Sequence, residues 1–112
     1  MKAYNLLEQA VLLAGGTLPD ELLKKTGVSI INTVLTDLER ENIASLSDEL
    51  PSSDVGFLTT LTAGVAMTLA VLWGDDTGAS GLSEVYNSAR VRLLARISRV
   101  KPVLFGGGED EI

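Results

Sequence analysis

The feature that most limits how this chain can fold is a run from Val55 to Gly74 that contains no charged residue. Such a run either crosses a bilayer, which takes about 20 apolar residues, or forms the central helix of a small domain and is covered by other helices. The run carries four threonines, and acidic rather than basic residues flank it, at Asp54 and at Asp75–Asp76. Both features are atypical of a membrane span. We therefore predict a buried central helix, with a single membrane span as the alternative.

Apolar residues at helical spacing predict three more helices around the central one. The first ends at Gly15–Gly16, the second begins after Ser29 as its N-cap, and the last ends before Pro102. On the second helix, Asn32 is expected to face water, and Gly27 is expected to break the chain before it. The three helices span Lys2–Ala14, Ile30–Glu41 and Leu82–Lys101, and the connectors span Thr17–Asp20 (with a short turn through Leu23), Ser45–Asp54 and Gly74–Gly81.

These segments predict an all-α fold class, a small bundle of four main helices with a central apolar helix. We expect residues 1–105 to form a single helical domain. The glycines at Gly106–Gly108 are interpreted as a hinge, because no strand-to-helix context or following lysine marks them as a phosphate loop. Residues 106–112 are expected to form a flexible acidic C-terminal tail.

Cysteine and histidine are both absent from the 112 residues. Their absence excludes thiol nucleophiles, disulfides, Cys/His zinc sites and a Ser-His-Asp triad. Asp75–Asp76 with Thr77 would suit a hard cation, but the alternating ligands and closing glutamate of a calcium loop are missing. Asp48, Glu49 and Asp54 would suit paired-carboxylate chemistry, but nothing in the sequence places them in a cleft. We therefore predict a protein that is not an enzyme and has no cofactor or metal.

The charge distribution points to contacts between protein surfaces. The chain has 9 basic and 15 acidic residues, a net charge of −6, which disfavours general binding to nucleic acid. The basic residues concentrate in one segment from Arg90 to Lys101, and three acids lie near residue 110. This segment is interpreted as a solvated face, a contact with acids of a neighbouring copy, or a contact with nucleic-acid phosphates. The hypothesis for a subunit interface comprises Arg90, Arg92, Arg96 and Arg99, with Glu109, Asp110 and Glu111 as partners.

The segment from Pro19 to Ser45 has the order of a helix-turn-helix unit: a helix, a glycine turn and an amphipathic helix. A recognition helix presents Arg, Lys, Asn or Gln to base edges. The candidate, Ile30–Asn42, carries one arginine and three acids. A small DNA-binding regulator is therefore kept as the alternative function.

Four stretches carry a resemblance to a known family. They are YNLLEQAVLLA (Tyr4–Ala14), VLTDLEREN (Val34–Asn42), GVAMTLAVLWGD (Gly64–Asp75) and LSEVYNSARVRLLARISRV (Leu82–Val100), the last with Tyr86-Asn87 followed by arginines from Arg90. In this order they resemble the small head–tail connector (head-completion or adaptor) proteins of tailed bacteriophages and prophages.

The resemblance implies a helical bundle that assembles into a ring of about twelve copies between the portal and the tail. It implies portal and tail-completion proteins as partners, passage of DNA through the channel without sequence preference, no membrane and no catalytic residues. The expected location is the virion, and the bacterial host cytoplasm during assembly.

Overall fold

The structure, a computed structural model, describes residues 1–17 and 21–104, and the side chains among them except those of Leu22 and residues 96–104. The described residues form four α-helices: α1 (Ala3–Leu13), α2 (Glu21–Asp37), α3 (Val55–Leu72) and α4 (Asp76–Leu104). This confirms the predicted all-α class, a small bundle with a central apolar helix. Residues 18–20, which include Asp20 of the predicted connector, and residues 105–112, which include the predicted tail, lie outside the described residues.

Helix α3 lies at the centre, because α1, α2 and α4 all pack against it. Asp54 begins the helix as N-cap, its carboxylate accepting the backbone N–H of Phe57 at 2.9 Å. By length and composition α3 could also cross a membrane, and 50% of its apolar window is buried inside the protein. Three of its four threonines do not discriminate between the two environments. The hydroxyls of Thr60, Thr62 and Thr68 each donate to the carbonyl one turn earlier, which satisfies them in either environment.

Helix α2 begins at Glu21, so the predicted break at Gly27 and the predicted N-cap at Ser29 are wrong. Gly27 lies inside the helix, at a position where α1 packs so closely that a side chain would not fit. A Cβ on Gly27 would lie 2.8 Å from Leu7 Cδ2. No helix-turn-helix unit therefore forms within 21–45, where one continuous helix takes the place of the predicted turn and second helix. The apolar residues whose helical spacing predicts this helix are, in contrast, all buried: Ile30, Ile31, Val34, Leu35 and Leu38.

Helix α2 also ends earlier than predicted, at Asp37 rather than Glu41. Glu39 adopts a left-handed backbone with φ of 60°, and the N–H of Arg40 reaches the carbonyl of Leu35 at 2.9 Å, which closes the helix in a Schellman motif. Asn32, predicted to face water, is instead half-buried. Its amide donates to the carbonyl of Ile43 at 3.0 Å and accepts the N–H of Ile43 at 2.8 Å, which fixes the chain after the helix.

Helix α4 begins at Asp76, so most of the predicted loop Gly74–Gly81 is helical. The helix begins this early because the carboxylate of Asp75 accepts the N–H of Gly78 at 2.9 Å and so caps the first turn of α4. The predicted end before Pro102 is also wrong, since the helix continues to Leu104. A proline removes one helical hydrogen bond and does not by itself end a long helix.

The apolar residues whose helical spacing predicts the last helix are only in part buried against α3. Tyr86 and Leu93 are buried, whereas Val85 is 54% exposed. Ala79, which the sequence placed in a loop, is buried as well and extends this face by one turn. Seven-residue spacing from Ala79 through Tyr86 to Leu93 keeps these side chains on one side of the helix.

Candidate functional site

The predicted interface residues are described only in part. Arg90 is half-buried and contacts α2, and Arg92 is exposed on α4 beside a shallow pocket of about 320 Å³ that Gly56 and Thr59 also line. The side chains of Arg96 and Arg99 lie outside the described residues, as do Glu109, Asp110 and Glu111. A role of these residues in a subunit interface therefore stays a prediction.

Asp37, Tyr86 and Arg90 form a polar cluster between α2 and α4. The Tyr86 hydroxyl donates a hydrogen bond to Asp37 Oδ2. The buried Arg90 Nε lies 2.8 Å from the same oxygen and forms an ion pair with Asp37, without the geometry of a hydrogen bond. Burial, followed by the hydrogen bond and the negative charge of Asp37, raises the pKa of Tyr86 well above its usual value of 10.0. The cluster links α4 to α2 next to Gly64 of α3, which lies beside the Tyr86 ring.

Replacing Tyr86 by phenylalanine removes the hydroxyl while keeping the buried ring. Because Asp37 is half-exposed and can be hydrated, we expect a loss of about 1 kcal/mol in the free energy of unfolding. The pH dependence has a definite sign. Above pH 10 the unfolded chain releases the tyrosine proton that the folded chain retains, so deprotonation favours unfolding and the contribution of Tyr86 is lost as pH rises from 10 toward its folded pKa.

Urea unfolding of the parent chain and Tyr86→Phe at several pH values tests this expectation. Tyr4 is present in both proteins, so the difference between them isolates Tyr86. The parent should lose stability above pH 10 more steeply than the variant. Parallel curves from pH 7 to pH 11 would contradict the assigned hydrogen bond.

An apolar groove of about 650 Å³ opens where the C-terminal ends of α1 and α3 meet the first half of α2. Val11 and Leu69 form buried parts of its wall, and Leu72 and Trp73 form an exposed edge. Gly16 allows this arrangement, because a Cβ there would lie 2.8 Å from Trp73 Cη2. The indole therefore lies directly over the end of α1 and closes one side of the groove.

The chain concentrates exposed apolar surface around this groove. Leu72, the last residue of the central apolar helix, is 64% exposed, and Trp73, the residue after it, is 47% exposed. At the end of α1, Leu12 and Leu13 are 60% and 53% exposed. Apolar side chains gathered at one end of a small protein in this way are typical of a protein-binding surface.

Among the carboxylates that the sequence singled out, Asp48, Asp54 and Asp75 accept hydrogen bonds from backbone N–H groups. Asp48 accepts the backbone N–H groups of Ala44 at 2.8 Å and Ser45 at 3.0 Å, and these hydrogen bonds lower its pKa. Asp54 and Asp75 cap helices α3 and α4, as described above. Among the residues that the structure describes, no group of three or more acidic side chains is arranged to hold a metal ion.

Sequence reasoning identified the basic segment and missed the groove. The groove combines residues of α1, α2 and α3 that are far apart along the chain, and no motif marks them. The one available signal was Trp73, the single tryptophan, which ends the apolar run just before two acids.

Comparisons with protein-family models, with curated proteins and with solved structures find no match to this chain. The fold and the site define a small all-α bundle with an apolar groove at one end and a basic helix along one side.

Proposed function

We propose that the chain is a structural head–tail connector protein that assembles into a ring between the portal and the tail of a phage or prophage particle. The observation that carries the proposal is the apolar groove with its exposed edge at Leu72 and Trp73. Exposed apolar surface of this kind is stabilised when a partner covers it, and a small domain gains most from such burial. The sequence resemblance adds the specific setting of a virion.

The charges of the molecule support contact between unlike surfaces. Helix α4 carries the arginines from Arg90 to Arg99, while the chain as a whole has a net charge of −6. In a closed ring each copy presents one surface to the neighbour on its left and a different surface to the neighbour on its right. A basic helix on one side and acidic surface elsewhere suit this arrangement.

The DNA-binding alternative rests on a recognition helix from Ile30 to Asn42. The continuous helix from Glu21 to Asp37 does not provide the separate second helix that this function requires. The side of α2 with Ser29, Asn32, Thr33 and Thr36 does line a shallow polar pocket with Lys25, but only that one residue carries positive charge. Assembly is therefore the function that we favour.

Light scattering of the purified chain over a wide range of protein and salt concentrations tests the proposal. We expect one discrete large oligomer, or a monomer that converts into it as concentration rises. A mass that stays at 11.8 kDa under all conditions, with and without a head particle that offers a portal, would contradict a ring-forming connector. A strict dimer that binds duplex DNA with a steep salt dependence would favour the regulator instead.

A further inference from the structure

We propose that the apolar groove binds the C-terminal segment of a second copy of this chain, with Phe105 in the groove and Glu109–Glu111 beside Lys25. This proposal rests on the proposed assembly function and names the contact by which one copy holds the next. The segment combines one aromatic residue, three glycines and three acids in the order FGGGEDE.

The groove has the chemistry to accept an aromatic side chain. Its walls at Val11, Leu69 and Ile30 are buried apolar residues, and the indole of Trp73 forms one edge. A phenyl ring packed against an indole gains from aromatic contact in addition to the apolar area that it buries. The hydroxyl-bearing residues Thr26 and Ser29 line the α2 side of the groove.

The rim of the groove carries positive charge. Lys25 is exposed on α2 and forms no ion pair with any residue that the structure describes. It lies one helical turn before Ser29, which lines the groove, so that its ammonium group is on the adjoining surface. Lys24, in contrast, pairs with Glu21 at 3.8 Å and lies over the Tyr4 ring. Lys25 is therefore the cation that an acidic segment would meet.

The spacing of the segment fits both contacts. Glu109 lies four positions after Phe105, and an extended chain covers about 13 Å over that distance. The three glycines between them carry no side chains and allow the backbone to lie close to α2. An aromatic anchor and an acidic cluster can thus occupy the groove and its rim together.

The groove and the segment of the same copy are too far apart to meet. The groove lies at Trp73, immediately before α4, whereas Phe105 follows Leu104 at the opposite end of that helix. Helix α4 has 29 residues and is about 43 Å long at about 1.5 Å per residue. Residues 105–111, even fully extended, cover about 25 Å. The segment that fills the groove must therefore come from another copy.

This geometry makes the contact heterologous, because the groove of one copy receives the segment of the next. Each copy has one groove and one segment at opposite ends of α4, so the contact repeats and generates a ring when the rotation closes. It also assigns the acids at 109–111 to Lys25 of the neighbour, which leaves the arginines of α4 for acids on the body of a neighbouring copy.

Intrinsic fluorescence tests the contact directly, because Trp73 is the single tryptophan and lines the groove. The protein is the full chain with Phe105→Ser, which lacks its own anchor. The probe is a synthetic peptide of residues 102–112, which contains no tryptophan. We expect a saturable blue shift as the peptide covers the indole, and no saturable shift with a peptide of the same composition and scrambled order.

Two matched variants locate the binding. Leu72→Gln removes an apolar side chain from the groove and should weaken peptide binding about tenfold. Val55→Gln also replaces an exposed aliphatic side chain by glutamine, at the opposite end of α3, and should leave binding unchanged. Lys25→Glu should weaken binding, and a peptide with lysines in place of Glu109, Asp110 and Glu111 should restore it. Absence of a saturable shift, or equal affinity for the Leu72→Gln and Val55→Gln variants, overturns the proposal.

The mass of the full-length chain separates this proposal from the assembly function. If the peptide binds the groove but the unmodified chain remains a monomer, the segment contact is supported and the ring fails. If the unmodified chain forms a ring and Phe105→Ser forms the same ring with the same stability, the segment contact is overturned and the ring stands. An apolar dye that binds at Trp73 and that the peptide does not displace would indicate a small-molecule occupant and would also overturn it.

Discussion

Replacing Gly64 by alanine is expected to lower the free energy of unfolding by about 2 kcal/mol. A Cβ at this position would lie 2.6 Å from both Tyr86 Cε1 and Val34 Cγ1. The phenol ring cannot move freely, because its hydroxyl is bound to Asp37. The overpacking cost of about 3 kcal/mol therefore exceeds the roughly 1 kcal/mol that alanine gains over glycine inside a helix. Urea unfolding followed by circular dichroism, at a concentration where the chain is monomeric, measures the change.

The matched control is Gly81→Ala, because Gly81 lies inside α4 and a Cβ there would meet no atom within 4 Å. The same chemical change should therefore stabilise the chain by up to about 1 kcal/mol. A second comparison places Gly64→Ala in a Val34→Ala background, where the cost should shrink because one of the two clashing groups is gone. Equal effects of Gly64→Ala and Gly81→Ala would show that α3 and α4 do not pack as closely as described.

The elements that the sequence predicted well are those that carry a local signal. Helix α3 begins directly after Asp54, whose side chain caps it, and the apolar run that follows lies at the centre of the bundle. Helix α1 ends where Gly15 adopts a positive φ of 90°, as a C-terminal glycine usually does. In both places the residue at the boundary is of the type that usually caps a helix: an aspartate at the start of α3 and a glycine after the end of α1.

The boundaries that were missed depend on tertiary contacts. Gly27 was interpreted as a break because glycine weakens helices, yet the close approach of α1 at Leu7 requires a residue without a side chain. The end of α2 was missed because a glutamate, Glu39, occupies the left-handed position that glycine or asparagine normally takes. Neither the approach of a second helix nor a strained turn can be derived from residues near it in sequence.

The candidate site, too, has one part that the sequence predicted and two parts that depend on tertiary contacts. The arginines of α4 are visible in the sequence because they lie close together along it. The ion pair between Arg90 and Asp37 is not visible, since the two residues belong to separate helices. The groove at Trp73 requires three helices to be in place before it exists, and so only the structure defines it.

Reversing the charge of the basic segment is expected to abolish assembly. If Arg92, Arg96 and Arg99 meet acids on a neighbouring copy, glutamates in their place turn each attraction into repulsion, which costs several kcal/mol for each subunit contact. The variant Arg92→Glu, Arg96→Glu, Arg99→Glu should remain monomeric by light scattering. Its helix content by circular dichroism should match that of the parent, because Arg92 is exposed and makes no ion pair with any described residue.

Arg90 requires separate treatment because it lies 2.8 Å from Asp37 within the same chain. A glutamate at position 90 would place two carboxylates in contact and lower the stability of the monomer, so loss of assembly in that variant would not identify an interface. Although the sequence counted Arg90 among the interface arginines, its ion pair with Asp37 of the same chain makes Arg90→Gln the control: it should reduce the unfolding free energy slightly and leave assembly in place. Lysines in place of Glu109, Asp110 and Glu111 should fail to rescue the triple variant, because in the contact proposed above these acids meet Lys25 and not the arginines. Assembly of the triple variant at the mass of the parent would remove the basic segment from the interface.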